Sequence, residues 1–156
     1  AGYPYREADR GRRESLMAFL DDVAARLLAS GLASSSGVGS YVLSKGWMPD
    51  STVVADKWVS LFEYAGGMPN PRAELDSPGL QVVVRGVSMN KSTSGYQDAQ
   101  SKADAIFRDL HALTLTSSSG RYYPGFTAQQ SPFLMEFDAQ RRPVFAVNFL
   151  AMRSRT

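Results

Sequence analysis

The stretch Leu61–Gly86, LFEYAGGMPNPRAELDSPGLQVVVRG, decides the fold. Two runs of strand-forming residues flank a connector of Gly, Pro, Asn and Asp. Lys57 to Tyr64 alternates, with Trp58, Ser60, Phe62 and Tyr64 on one side and Val59, Leu61 and Glu63 on the other, which predicts a strand. Leu80 to Arg85 predicts a second strand, with Leu80, Val82 and Val84 on one face and Gln81, Val83 and Arg85 on the other. Between them, Pro69 and Pro71 fix φ and the Gly66-Gly67 pair tolerates positive φ. The connector is therefore expected to be a defined bend. It contains no nucleophile–base pair and no metal cage.

Upstream, Leu16, Phe19, Leu20, Val23, Leu27 and Leu28 fall at helical spacing from Glu14 to Ser30, and Gly31 supplies a stop. Residues 1–13 are polar and are expected to form an arm. The segment 31–50 is a Gly/Ser-rich loop with room for a short strand at Tyr41–Leu43. Downstream, GVSMNKSTSG is expected to be a flexible loop. Ser94 and Gln97 match a capping box, and a second helix runs to about Leu113 with Tyr96, Ala99, Ala103, Ile106, Leu110 and Leu113 on one face. Residues 117–132 are turn-rich, with a short strand near Tyr122–Tyr123. Phe133–Phe137 and Val144–Met152, joined by DAQRRP, predict a C-terminal hairpin. The expected fold is α+β: two long helices packed on a mostly antiparallel β-sheet with a C-terminal β-hairpin, a single domain over 14–156.

Composition narrows the function. A chain of 156 residues with 44% hydrophobic residues fits one domain with a real core. It has no cysteine and one histidine, His111, so thiolate sites and the common transition-metal sets are absent. No apolar run reaches the roughly 20 residues that span a bilayer. The opening AGYPYREADRGRRE has no signal-peptide core, and its start on Ala implies a removed initiator Met. Asp21 and Asp22 are helix neighbours that do not face each other, and Glu136 and Asp138 flank a turn, so neither pair resembles a buried acid/base couple. SSSGVGS lacks the lysine of a phosphate-binding loop. Neither a catalytic residue nor a metal or cofactor is expected. Arg6, Arg10, Arg12 and Arg13 cluster at one end and Arg141, Arg142, Arg153 and Arg155 at the other. They read as solvated ends or inter-chain salt bridges, with nearness to nucleic-acid backbone as the rival. Tyr122, Tyr123 and Phe126 read as core or interface, with base stacking as the alternative.

VFAVNFLAM, residues 144–152, poses a packing question. Phe145, Val147, Phe149 and Ala151 lie on one face; Val144, Ala146, Leu150 and Met152 lie on the other. A strand apolar on both sides needs cover on both. Two helices cover one sheet face. The second is closed either by another copy or partner, or by the 31–56 and 114–132 segments folding back.

Taken in order, GWMPD, the E-x-x-G-G bend with its prolines, LQVVVRG, GYQDAQSKADAIFRDLHAL, GRYYPGF, SPF, RRP and VFAVNF resemble the tail terminator, or minor capsid, proteins of long-tailed (siphovirus-like) bacteriophages, over about residues 46–152. The polar loop at 87–95 and the Arg-rich arm depart from that pattern. The resemblance implies a non-enzymatic virion protein, assembled in the host cytoplasm. It implies a homohexameric ring seated on the tail tube protein, which ends tube polymerisation and joins the tail to a head-side connector or stopper protein. DNA would pass through without specific binding, and no membrane is involved. The rival functions are another neck component (a stopper or adaptor) and a small nucleic-acid-binding module. Subunit packing is expected around Val83, Arg85, Phe145, Val147 and Phe149. Contacts to tube and connector are expected at Gly67, Met68, Asn70 and Arg72, and at Met89, Asn90 and Lys91.

Overall fold

The computed structural model describes residues 18–36, 40–50, 54–70, 72, 75–118 and 120–154, the side chains of 69 and 70 excepted. The 1–13 arm with its four arginines, residues 14–17 and Arg155 lie outside the described residues.

A first helix, α1, is described over 18–29. Its buried stripe is Phe19, Leu20, Val23, Ala24 and Leu27. It ends as the glycine predicted. Gly31 takes φ +73°, its N–H bonds Leu28 O at 3.2 Å, and Leu32 N–H bonds Leu27 O at 3.1 Å. That pair of bonds is the Schellman closure.

The strands follow as β1 (Val42–Lys45), β2 (Trp58–Asn70) and β3 (Leu75–Arg85). Then come α2 (Gly95–Leu110), β4 (Leu115–Thr116), β5 (Tyr122–Tyr123), β6 (Gly125–Ala128), β7 (Phe133–Phe137) and β8 (Pro143–Ser154). The main sheet runs β1-β2-β3-β8-β6, and β7 lies beside β6's place along the other half of β8. All its pairings are antiparallel except β1–β2. β4 and β5 form a separate two-stranded ribbon.

The expected two long helices on a sheet are not what the chain builds. The helices are short, at 18–29 and 95–110, and among the described residues strand exceeds helix by 42% to 22%, so the sheet carries the core. The difference comes from the central stretch. The residues expected to bend instead continue as strand: β2 extends to Asn70 and β3 begins at Leu75, with register shifts between Tyr64 and Gly67 and between Gly67 and Asn70. Bulges absorb the glycines without ending the pairing. α2 stops at Leu110 because Ala112 turns left-handed, at φ +64°, and its N–H bonds Phe126 O at 2.8 Å. The capping box does not form. Ser94 is already helical, at φ −83° and ψ −6°, and its hydroxyl meets Ser92 Oγ at 2.8 Å.

Register sorts the two sheet faces. Leu80, Val82 and Val84 oppose Phe149, Val147 and Phe145, and with Val59 and Leu61 they meet the stripes of α1 and α2 in one core. Tyr123 and Phe126 join it beside Phe19, with ring centroids 5.8 and 6.4 Å away. They belong to the core and are not available for base stacking.

Candidate assembly surfaces

The second sheet face is closed at one end by the chain itself. The 46–57 segment, described at 46–50 and 54–57, straps across it. Met48 and Phe62 pack on Val83, Val144 and Ala146. Ser44 Oγ accepts from Trp58 Nε1 at 2.8 Å, and Ser60 Oγ donates to Trp47 O at 2.9 Å.

Beneath the strap lie two arginines that solvent hardly reaches. Arg85 donates to the backbone carbonyls of Pro49, Ala55 (3.0 Å) and Asp56 (2.9 Å). Burial, and then the charge of Arg142, lowers its guanidinium to about 10. Arg142 bonds Asp138 Oδ2 at 2.6 Å and lies 3.5 Å from Asp56 and 3.4 Å from Asp50. Burial pushes the Asp56 and Asp138 carboxyls up. Hydrogen bonds from Lys91 and Ser88 N–H to Asp56, and from Arg142 to Asp138, outweigh it and hold both below the ordinary value of 3.8. A buried charge is tolerated only when paired and hydrogen-bonded, and this cluster meets that condition.

The five residues expected to form one interface therefore divide. Phe145, Val147 and Phe149 face the helices and are shut from solvent within the single chain. Val83 and Arg85 lie on the opposite face, under the strap. A one-residue step along a strand switches faces, and alternation within one strand does not say which face the helices choose.

The two groups of expected contact residues fall at opposite ends of β3. Gly67 and Met68 are exposed near the β2–β3 apex, Asn70 ends β2, and Arg72 is exposed in the connection. Met89, Asn90 and Lys91 follow the other end of β3. At about 3.3 Å per residue, the 11 residues of β3 separate them by roughly 30 Å. The 87–92 loop is pinned and not free: Met89 N–H bonds Arg141 O at 2.9 Å, Ser88 Oγ donates to Gln140 O at 2.6 Å, and Lys91 pairs with Asp56 at 3.0 Å.

Most arginines of the described residues are spent within the chain. Arg26 forks onto Asp109, Arg121 onto Asp22, and Arg153 onto Asp76. His111 stacks on Phe107 at 5.5 Å, and its Nδ1 accepts the Ala128 N–H at 3.1 Å. No acidic or histidine cluster fit for a metal occurs among the described residues, and no described helix is long and apolar enough to cross a membrane.

Sequence reasoning missed the exposed apolar side chains of β7. Phe133, Met135 and Phe137 are 40%, 48% and 46% exposed on the last strand of the sheet. A short run of large residues looks the same in sequence whether it lies at a sheet's edge or its centre. Open concavities of about 650 Å³ beside Glu63, Tyr64, Gly66 and Asp76, and of about 490 Å³ between Met48, Phe62, Val83 and Met135, adjoin the sheet.

Open sheet edges and the exposed apolar side chains of β7 mark surfaces where another protein can pack. The family model described as bacteriophage tail terminator protein matches residues 28–154, and the chain belongs to that family. It is thus a structural component of a phage tail, and so of the virion. No curated protein matches it by sequence.

Proposed function

We propose that this chain closes into a ring of six copies on the head-proximal end of the tail tube, stops tube polymerisation there, joins the tail to the head-side connector or stopper protein, and leaves a channel through which DNA passes. Family membership carries this reading. The placement of the two contact groups at opposite ends of β3 supports it, since a head-to-tail ring has two unlike rims. The β2–β3 connection around Arg72 serves one rim. The Met89–Lys91 loop, braced by the β7–β8 turn, serves the other. The engagement of most described arginines with carboxylates agrees with a channel that lets DNA slide. The protein acts by shape and contact, without a catalytic step or cofactor, and it assembles in the host cytoplasm.

Electron microscopy of particles made without this chain tests the reading. Tails of uncontrolled length are expected. Tails of normal length beside heads that leak DNA would instead assign the chain to a stopper.

A further inference from the structure

The sheet has two open edges among the described residues, on opposite sides. β1 pairs β2 only from Trp58 to Leu61, so the outer side of β2 from Phe62 to Asn70 has no strand beside it. Across the sheet, the outer side of β7 is likewise without a strand. Its neighbour β6 is closed, because Ala112 N–H bonds Phe126 O and Ala128 N–H bonds His111 Nδ1.

Natural sheets blunt such edges with charged side chains, proline, bulges, extreme shortness or a covering segment, and both edges here carry bulges, between Tyr64 and Asn70 on β2 and between Leu134 and Glu136 on β7. Neither stretch here contains lysine, and only Pro69, near the apex, interrupts the donors of β2. Both edges instead display apolar side chains: Met68, 92% exposed, on one, and Phe133, Met135 and Phe137 on the other. The strand directions also agree. β2 is antiparallel to β3, β3 to β8, and β8 to β7, so β7 runs antiparallel to β2.

Resting on the ring reading above, we propose that β7 of one copy adds antiparallel to the open half of β2 in the next copy, bringing Met68 against the exposed side chains of β7. The sheet then continues from subunit to subunit. The contact is heterologous, because each copy offers one edge of each kind. Register through β8 and β3 sets β7 level with Trp58–Ser60, while the open half of β2 centres near Gly66. The offset is about 20 Å at 3.3 Å per residue. Strands therefore tilt to the ring axis, as in any closed sheet with shear.

Two edge-blocked variants test this. One carries Phe133→Lys and Met135→Lys; the other carries Ala65→Lys and Met68→Lys. All four positions are exposed, so circular dichroism and melting are expected to match the parent. Mass is read by light scattering on purified chains and, after cross-linking, in isolated tails. Each variant alone is expected at 17.0 kDa, the mass of one chain. An equal mixture is expected to form a dimer and stop, because only one intact pair of edges remains. Rings that persist in both variants, or a mixture that stays single, overturn the edge assignment and leave the ring standing. A parent chain that is single in tails overturns the ring itself. Tails that bind the Phe133→Lys, Met135→Lys variant normally as a ring would remove β7 from the contact between copies.

Discussion

Arg142, wholly buried, donates from Nε to Asp138 Oδ2 at 2.6 Å, four residues back across the β7–β8 turn. Its other nitrogens reach toward Asp50 and Asp56, so one guanidinium ties the turn to the strap. Asp56 and Asp138 both titrate below 3.8 in the fold. A depressed carboxylate stabilises the fold above its unfolded value, and that contribution disappears as pH falls through the folded value. The urea midpoint is therefore expected to lose this term only below about pH 4. Asp138→Asn is expected to cost about 3 kcal/mol at neutral pH and to flatten the acid limb. An acid limb unchanged by Asp138→Asn would remove the pair from the stability account.

Arg85 holds the strap by three carbonyls. Arg85→Met fills much of the volume but leaves those acceptors without their charged donor. A loss of about 2–4 kcal/mol is expected, with faster hydrogen exchange across 46–57 than elsewhere. Uniform exchange would mean that the strap is held by Met48 and the Ser60–Trp47 bond alone.

Phe149→Asp and Met135→Lys are expected to differ in kind. Phe149 is fully buried among the helix-facing residues, so an aspartate there destabilises by more than about 4 kcal/mol and the chain fails to fold. Met135 is half exposed, so lysine there is expected to shift stability by less than about 0.5 kcal/mol. Thermal melts of the purified variants decide it. A folded Phe149→Asp chain would place that residue at a surface and revive the helix-side strand face as an interface.

Gly66 sits where β2 bulges against β3. A Cβ there would lie 1.6 Å from Ser77 O and 2.8 Å from Gly79 N, both backbone atoms that cannot swing aside. Gly66→Ala is expected to cost about 1–3 kcal/mol and to reshape the apex carrying Met68. Chemical shifts confined to residue 66 would show that the bulge relaxes instead.

Arg141 holds φ +60° in the turn after β7, a conformation that favours glycine. Its side chain makes only a 3.5 Å contact to Asn90. Arg141→Gly is expected to raise stability by up to about 1 kcal/mol, read as a higher melting temperature. A lower one would mean that the contact to Asn90 outweighs the backbone term.

What could be read in the sequence follows from period and punctuation. α1, its Gly31 stop, and the alternation of Trp58–Tyr64, Leu80–Arg85 and Val144–Met152 all rest on local rules. The ordered pieces from GWMPD to VFAVNF carried the family. The extension of β2 and β3 through the glycines and prolines could not be read, because a bulge is licensed by the partner strand and not by local propensity. A fold-back of the 31–56 segment was one of two ways to cover the second face, but its anchor was not legible: Arg85 is an ordinary strand cation until Pro49, Ala55 and Asp56 present their carbonyls to it. Phe149 and Val83 were placed on one surface because alternation fixes which residues share a face within a strand, while the register between strands assigns faces across the sheet.

The copy number of this chain at the end of an isolated tail tests the central claim most directly. Mass of the cross-linked tail-end complex is predicted to equal six chains in a closed ring. A single chain, with its β7 and β2 edges covered by other tail proteins, would contradict it.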